Sequence, residues 1–93
     1  MARASTTTDV FNAIAEPRRR QMIRLIRDGE EWTVGEIALR MRIAQPVASK
    51  HLQVLRTVGI VKVVKRGRFR CYRLHVLSLQ PIVEWAGMCD LRI

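Results

Sequence analysis

A mainly helical chain with one small β-hairpin is predicted for these 93 residues, and three observations carry the prediction. Two helical stretches meet across only Arg42 to Ala44, a turn so short that the helices must cross steeply. Directly after Gly59 the apolar period changes from about 3.6 to about 2. Positive charge gathers in the same region: between Ile37 and Val83 stand ten Lys or Arg and no Asp or Glu.

Each element has its own local reason. Residues 1–8, Ser/Thr-rich, read as a flexible tail ahead of a single domain over 9–93. Val10, Phe11 and Ile14 lie at helical spacing and predict a short first helix. Pro17 suits the first turn of a second helix, where its missing N–H is no loss. That helix turns Met22, Ile23, Leu25 and Ile26 inward, keeps its arginines mostly outward, and is expected to end at Gly29. Thr33-Val34-Gly35-Glu36 matches a capping box and starts the third helix, with Val34, Ile37, Ala38 and Met41 on one face. The fourth helix runs from Gln45 to about Val58, so the two-helix unit spans 33–58. The β-branched run from Ile60 to Lys65 is a strand, Arg66-Gly67-Arg68 turns the chain, and Phe69 to Leu74 returns, giving a hairpin over 60–74. Ser78 is the expected cap of a last helix over 78–90, with Pro81 in its first turn and Leu79, Ile82, Val83 and Ala86 as its apolar stripe. The order α-α-α-α-β-β-α is that of a winged helix-turn-helix.

Charge narrows the function. The net charge is +9, and its acid-free stretch gives a one-sign field that suits a polyanion. No apolar run approaches the roughly 20 residues that span a bilayer. The start, MARASTTTD, lacks the apolar core of a secretory signal, so the cytoplasm is the expected location and no membrane partner is expected. Two cysteines are too few for a disulfide framework.

On a helical wheel of the fourth helix, Val47, Ala48, Leu52, Val54, Leu55 and Val58 share one side. Gln45, Ser49, Lys50, Gln53, Arg56 and Thr57 share the other, which has donors, acceptors and cations but no carboxylate. Such a face suits a DNA major groove, where Gln pairs with adenine and Ser donates or accepts. Gln45, Ser49, Lys50, Gln53 and Arg56 are therefore the expected reading residues. Lys65, Arg66, Arg68 and Arg70 at the hairpin tip suit phosphates or a narrow minor groove. Arg18, at the start of the second helix, is a secondary candidate. His51 falls within the apolar arc and reads first as a packing or hydrogen-bonding residue, with DNA contact, as for Arg18, the secondary alternative. No acid stands near it in sequence to orient the imidazole for catalysis, so no enzyme is expected.

Apolar residues at both chain ends, namely Val10, Phe11, Ile14, Trp85, Met88 and Leu91, exceed what a small core needs and predict a two-fold dimer. Such a dimer reads half-sites about 34–36 Å apart, or a multiple of that.

Three stretches, VFNAIAEPRRRQMIRLI, TVGEIALRMRIAQPVASKHLQVLRTVGIV and KRGRFRCYRL, resemble the ArsR-type (arsenic-repressor-like) bacterial winged-helix regulators. The resemblance covers most of Val10 to Leu74 and implies a homodimeric transcriptional repressor on operator DNA, in many members released by a metal or thiol-reactive signal. Two departures stand out. Ala44 occupies the cap position where the family often has Ser, a loss of about 1 kcal/mol of helix stability. The Cys-x-Cys pair of many metal-sensing members is missing from WTVGEIALRM, and the last helix lacks their Asp/His/Glu ladder, with His75 standing alone before it. No metal site and no cofactor are therefore expected, and the effector stays open. Two other readings remain: a redox- or metal-responsive repressor using Cys71 and Cys89, and a basic RNA-associated protein. RNA readers stack bases on exposed aromatics, whereas most of the five aromatics here sit at core-like positions.

Overall fold

The structure, a computed structural model, describes residues 9–89. The expected tail over 1–8, the last residue of the predicted final helix, Asp90, and Leu91 lie outside the described residues.

Local chemistry starts each helix. The Asp9 carboxylate accepts from the Asn12 N–H at 2.8 Å and opens α1 (Val10–Ala13). Glu16 accepts from the Arg18 N–H at 3.1 Å and caps α2 (Pro17–Leu25), with Pro17 in its first turn. This helix stops at Leu25 rather than running to Gly29. The Ile26 N–H closes it on Met22, and a turn follows before Gly29 takes a φ of +85°. Trp32–Thr33 then forms a short strand, β1, that the sequence reading did not contain. Thr33 is also the cap of α3 (Val34–Met41), with both halves of the capping box made: Glu36 N–H to Thr33 Oγ1 at 3.2 Å, and Thr33 N–H to Glu36 Oε1 at 2.8 Å. Arg42 turns the chain at a φ of +57°, and α4 (Gln45–Thr57) follows with no side-chain cap from Ala44.

Two antiparallel strands, β2 (Val61–Arg66) and β3 (Phe69–Leu74), form the wing. Arg66 pairs with Phe69 across a two-residue turn, Gly67-Arg68, in which Gly67 holds a φ of +62°. Glycine at the first central position matches the twist of a hairpin. β3 is the middle strand, with β1 on its other edge, so that Trp32 faces Tyr72 and Thr33 faces Cys71.

Ser78 does not cap the final helix. Val76–Leu79 winds into a 3₁₀ turn first, the Ser78 hydroxyl donates to His75 O at 2.6 Å, and α5 (Gln80–Gly87) begins after it. α5 lies against α1 and the 3₁₀ turn. Leu79, Ile82 and Ala86 are half-buried, but Val83, expected in the same inward stripe, is 63% exposed.

The core joins all layers. Met22 and Ile26 of the second helical segment, Ile37 of α3, Leu52 and Leu55 of α4, and Ile60 and Val61 at the wing's base are fully buried. Burying one such side chain contributes about 1.5–3 kcal/mol. Trp32 packs beside them with the Arg40 guanidinium 5.3 Å from its ring centroid, while its indole N–H is buried without an acceptor.

Candidate nucleic-acid interface

The apolar side of α4 sets its rotation. Ala48, Leu52 and Leu55 are buried, which turns Gln45, Ser49, Lys50, Gln53, Arg56 and Thr57 to solvent. The wing hangs from the other end of the same core and curls back towards α4. A concavity of about 480 Å³ opens between them, lined by Gln45 and Ser49 of α4, Arg68, Phe69, Arg70 and Tyr72 of the wing, and Thr33, Val34 and Gly35 at the start of α3. Gln45 reaches over that start, its Oε1 lying 3.8 Å from where a side chain at Gly35 would begin. Two expected reading residues and two expected wing arginines thus share one wall-to-wall site. Lys50, Gln53 and Arg56 extend the exposed face of α4 beyond it.

The remaining wing cations separate into two kinds. Strand register sets Lys65 directly opposite Arg70 and Lys62 directly opposite Arg73. Like charges in such positions repel, and a polyanion between or beside them removes the repulsion. Arg66 is different, because Glu31 already holds it. Its Nε and Nη2 donate to the two carboxylate oxygens at 2.9 and 2.8 Å. That hydrogen-bonded guanidinium holds the Glu31 carboxyl below its ordinary range and raises Arg66 in turn. Arg66 therefore supports the wing from outside rather than standing free at its tip. Glu31 lies 35 residues away, so only the acidic run Asp28, Glu30, Glu31 beside the capping box hinted at a partner.

His51 also has partners that the sequence concealed. It is half-buried, with 17% of its side chain exposed, and lies 3.6 Å through Nε2 from Glu16 Oε2. Arg19 Nη1 stands 3.4 Å from Nδ1, and Arg19 Nε donates to Ala13 O. Because arginine only donates, Nδ1 is the acceptor in this contact, and Nε2 is the nitrogen that faces Glu16. An acid does orient this imidazole, from the cap of α2. The arrangement ties α4 to α1 and α2 through one polar chain. Arg18, next to it, is exposed and among the described residues makes only a backbone contact.

At the opposite end, α1 and α5 bring the expected dimer residues together. Phe11 and Trp85 meet edge to face at 6.2 Å, yet remain 41% and 58% exposed, and Met88, whose N–H donates to Trp85 O, is exposed as well. Val10 and Ile14 are half-buried. An apolar groove of about 300 Å³ runs along Ile14, Ile23, Leu79, Ile82 and Val83, edged by Arg20 and Arg24. Both cysteines are free thiols: Cys71 is buried in the middle strand, and Cys89 is exposed at the end of α5. The expectation that most aromatics are core-like does not hold, since Phe11, Phe69 and Trp85 are all exposed.

Known proteins share this arrangement. A helix-turn-helix domain model matches residues 14–64, from the end of α1 into β2. Over 77 residues, 83% of this chain and 84% of the other, the sequence is 34% identical to the transcriptional repressor SdpR of Bacillus subtilis. A crystal structure of a possible transcriptional regulator for arsenical resistance superposes with a TM-score of 0.75 at 34% identity, over 86% of this chain and 82% of that one. The homodimeric winged helix-turn-helix DNA-binding domain of a possible ArsR-family regulator from Mycobacterium bovis superposes with a TM-score of 0.71 at 28% identity, covering 87% and 75%. Among the described residues no helix is long and apolar enough to cross a membrane.

Proposed function

The chain belongs to the ArsR/SmtB-type helix-turn-helix transcriptional regulators, and on that premise we propose that it is a homodimeric repressor gripping an inverted-repeat DNA operator in the cytoplasm. Residues 9–93 act as one unit, in which 33–58 is the helix-turn-helix, 60–74 the wing and α5 (Gln80–Gly87) the dimerising helix. Gln45, Ser49 and Gln53 read base edges, Lys50 and Arg56 hold the adjacent backbone, and Lys65, Arg68 and Arg70 grip the flanking duplex. Arg66 takes a lesser share, since Glu31 competes with phosphate for it. Arg18 and His51 are not assigned to DNA. The observation that carries the reading is the shared concavity of Gln45, Ser49, Arg68 and Arg70, acid-free along both walls.

The second copy covers the exposed apolar end formed by Phe11, Trp85 and Met88, with Val10 and Ile14 beneath them. A two-fold axis there sends two α4 helices to successive turns of one duplex face. The homodimeric M. bovis domain supports dimerisation by analogy. The reading includes no metal-responsive site, because the sequence lacks the Cys-x-Cys pair and the Asp/His/Glu ladder of the metal-sensing members. Nor do Cys71, buried in the sheet, and Cys89, at the end of α5, carry a switch in it.

The test is footprinting on the DNA upstream of the protein's own gene, with and without reductant, zinc and chelator. A protected inverted repeat, insensitive to all three additions, is the expected result. Loss of protection on oxidation or on zinc addition would restore the sensor reading. If Ser49→Ala and Gln53→Ala leave operator preference unchanged, the reading face is wrongly assigned.

A further inference from the structure

Phe69 stands where an aromatic does little for the fold. The residue is 59% exposed, one step past the two-residue turn at the wing tip and between two exposed arginines, Arg68 and Arg70. The side chain best placed to cover it is its cross-strand partner Arg66. That guanidinium is instead drawn off by both oxygens of Glu31. Among the described residues, neither the aromatic pair nor the cation over a ring involves Phe69. Nor is the ring on a remote surface, for it lines the same concavity as Gln45 and Ser49.

We infer that Phe69 is an apolar wedge in the DNA interface, packing its ring on a sugar face or base step of the minor groove beside each half-site. This rests on the DNA reading above. Arg68 and Arg70 hold the phosphates on either side, which seats the ring, and Glu31 keeps Arg66 from covering it beforehand. A minor groove offers apolar sugar walls and base steps that yield to such a side chain, and a ring stacked on a base adds affinity without reading its identity. The contact differs in kind from those of its neighbours. An arginine on a phosphate releases counterions and steepens the dependence of binding on salt, whereas a neutral ring releases none.

The experiment measures affinity for the footprinted duplex across a salt series with wild type, Phe69→Ala, Phe69→Trp and Arg68→Ala. Phe69→Ala is expected to bind roughly 5-fold or more weakly at every salt concentration, the lower end of a stacking contribution, with the slope of log K against log salt unchanged. Arg68→Ala lowers that slope by about one. The melting temperature of free Phe69→Ala stays at the wild-type value, which separates the loss from misfolding. Phe69→Trp retains affinity and gains a fluorescence change on saturation that exceeds the wild-type change from Trp32 and Trp85. Unaltered affinity in Phe69→Ala, or no added change in Phe69→Trp, overturns the wedge while the wild type still binds. A wild type that binds no duplex overturns the DNA reading itself, and the wedge with it.

Discussion

The recognition helix and the wing address the same concavity but are held in place by opposite means. α4 is oriented by apolar burial through Ala48, Leu52 and Leu55, with the Glu16–His51–Arg19 chain as a polar strut. The wing's base is buried through Val61, Cys71 and Tyr72, but its tip is held by the backbone ladder and an external Arg66–Glu31 clasp, and its exposed cations repel one another across the strands. Burial is indifferent to salt and pH, whereas surface ion pairs are weak and screened. In the function proposed above, the helix is therefore the fixed reader and the wing an adjustable grip, stabilised when a polyanion screens its cations.

Substitutions that break this contrast differ widely in size. The largest effect belongs to Leu52→Ala, which empties a fully buried site on α4. It should lower unfolding free energy by about 2–5 kcal/mol, read by chemical denaturation, and weaken DNA binding only through loss of fold. Ala44→Ser comes next and has the opposite sign. The N-cap of α4 has no side-chain acceptor, and a hydroxyl there should add about 1 kcal/mol, measured the same way. On the wing, Lys62→Thr removes one side of a like-charged pair and should stabilise by a few tenths of a kcal/mol at low salt. That gain should fade as salt is added, whereas the Leu52→Ala loss should not.

The smallest effect is the pH response of the clasp. Glu31 is held below its ordinary value of 4.5 by the Arg66 hydrogen bonds. A depressed carboxylate contributes its stability above its unfolded value and loses it as pH falls through the folded one. Side-chain NMR of Arg66 should thus show the clasp intact at neutral pH and released only below the usual glutamate range. Glu31→Gln should abolish that transition.

The same division explains what could be read in the sequence. Elements set by local chemistry were legible: the Thr33–Glu36 box, Pro17 and Pro81 in first turns, Gly67 at the hairpin, and the two faces of α4. Features that need distant partners were not. β1 is two residues long, too short to carry a period, and exists because Tyr72 and Cys71 offer it an edge. Glu31 and Arg66 lie 35 residues apart, and Arg19 and His51 lie 32 apart, so neither pairing leaves a pattern along the chain. Ser78 was misread because its hydroxyl had a nearer acceptor in His75 O. The exposure of Phe69 was not legible because the strand period assigns residues to faces but does not reveal where the sheet's cover ends.

The central claim is that α4 supplies discrimination and the wing supplies grip on one duplex. A salt series of affinities on operator and scrambled DNA tests it most directly, comparing wild type with Ser49→Ala/Gln53→Ala and Arg68→Ala/Arg70→Ala. The helix pair should keep the wild-type salt slope and lose the difference between the two DNAs. The wing pair should keep that difference and lower the slope by about two, one for each phosphate contact removed. A wing pair with an unaltered slope, or a helix pair that still prefers the operator, would contradict the account.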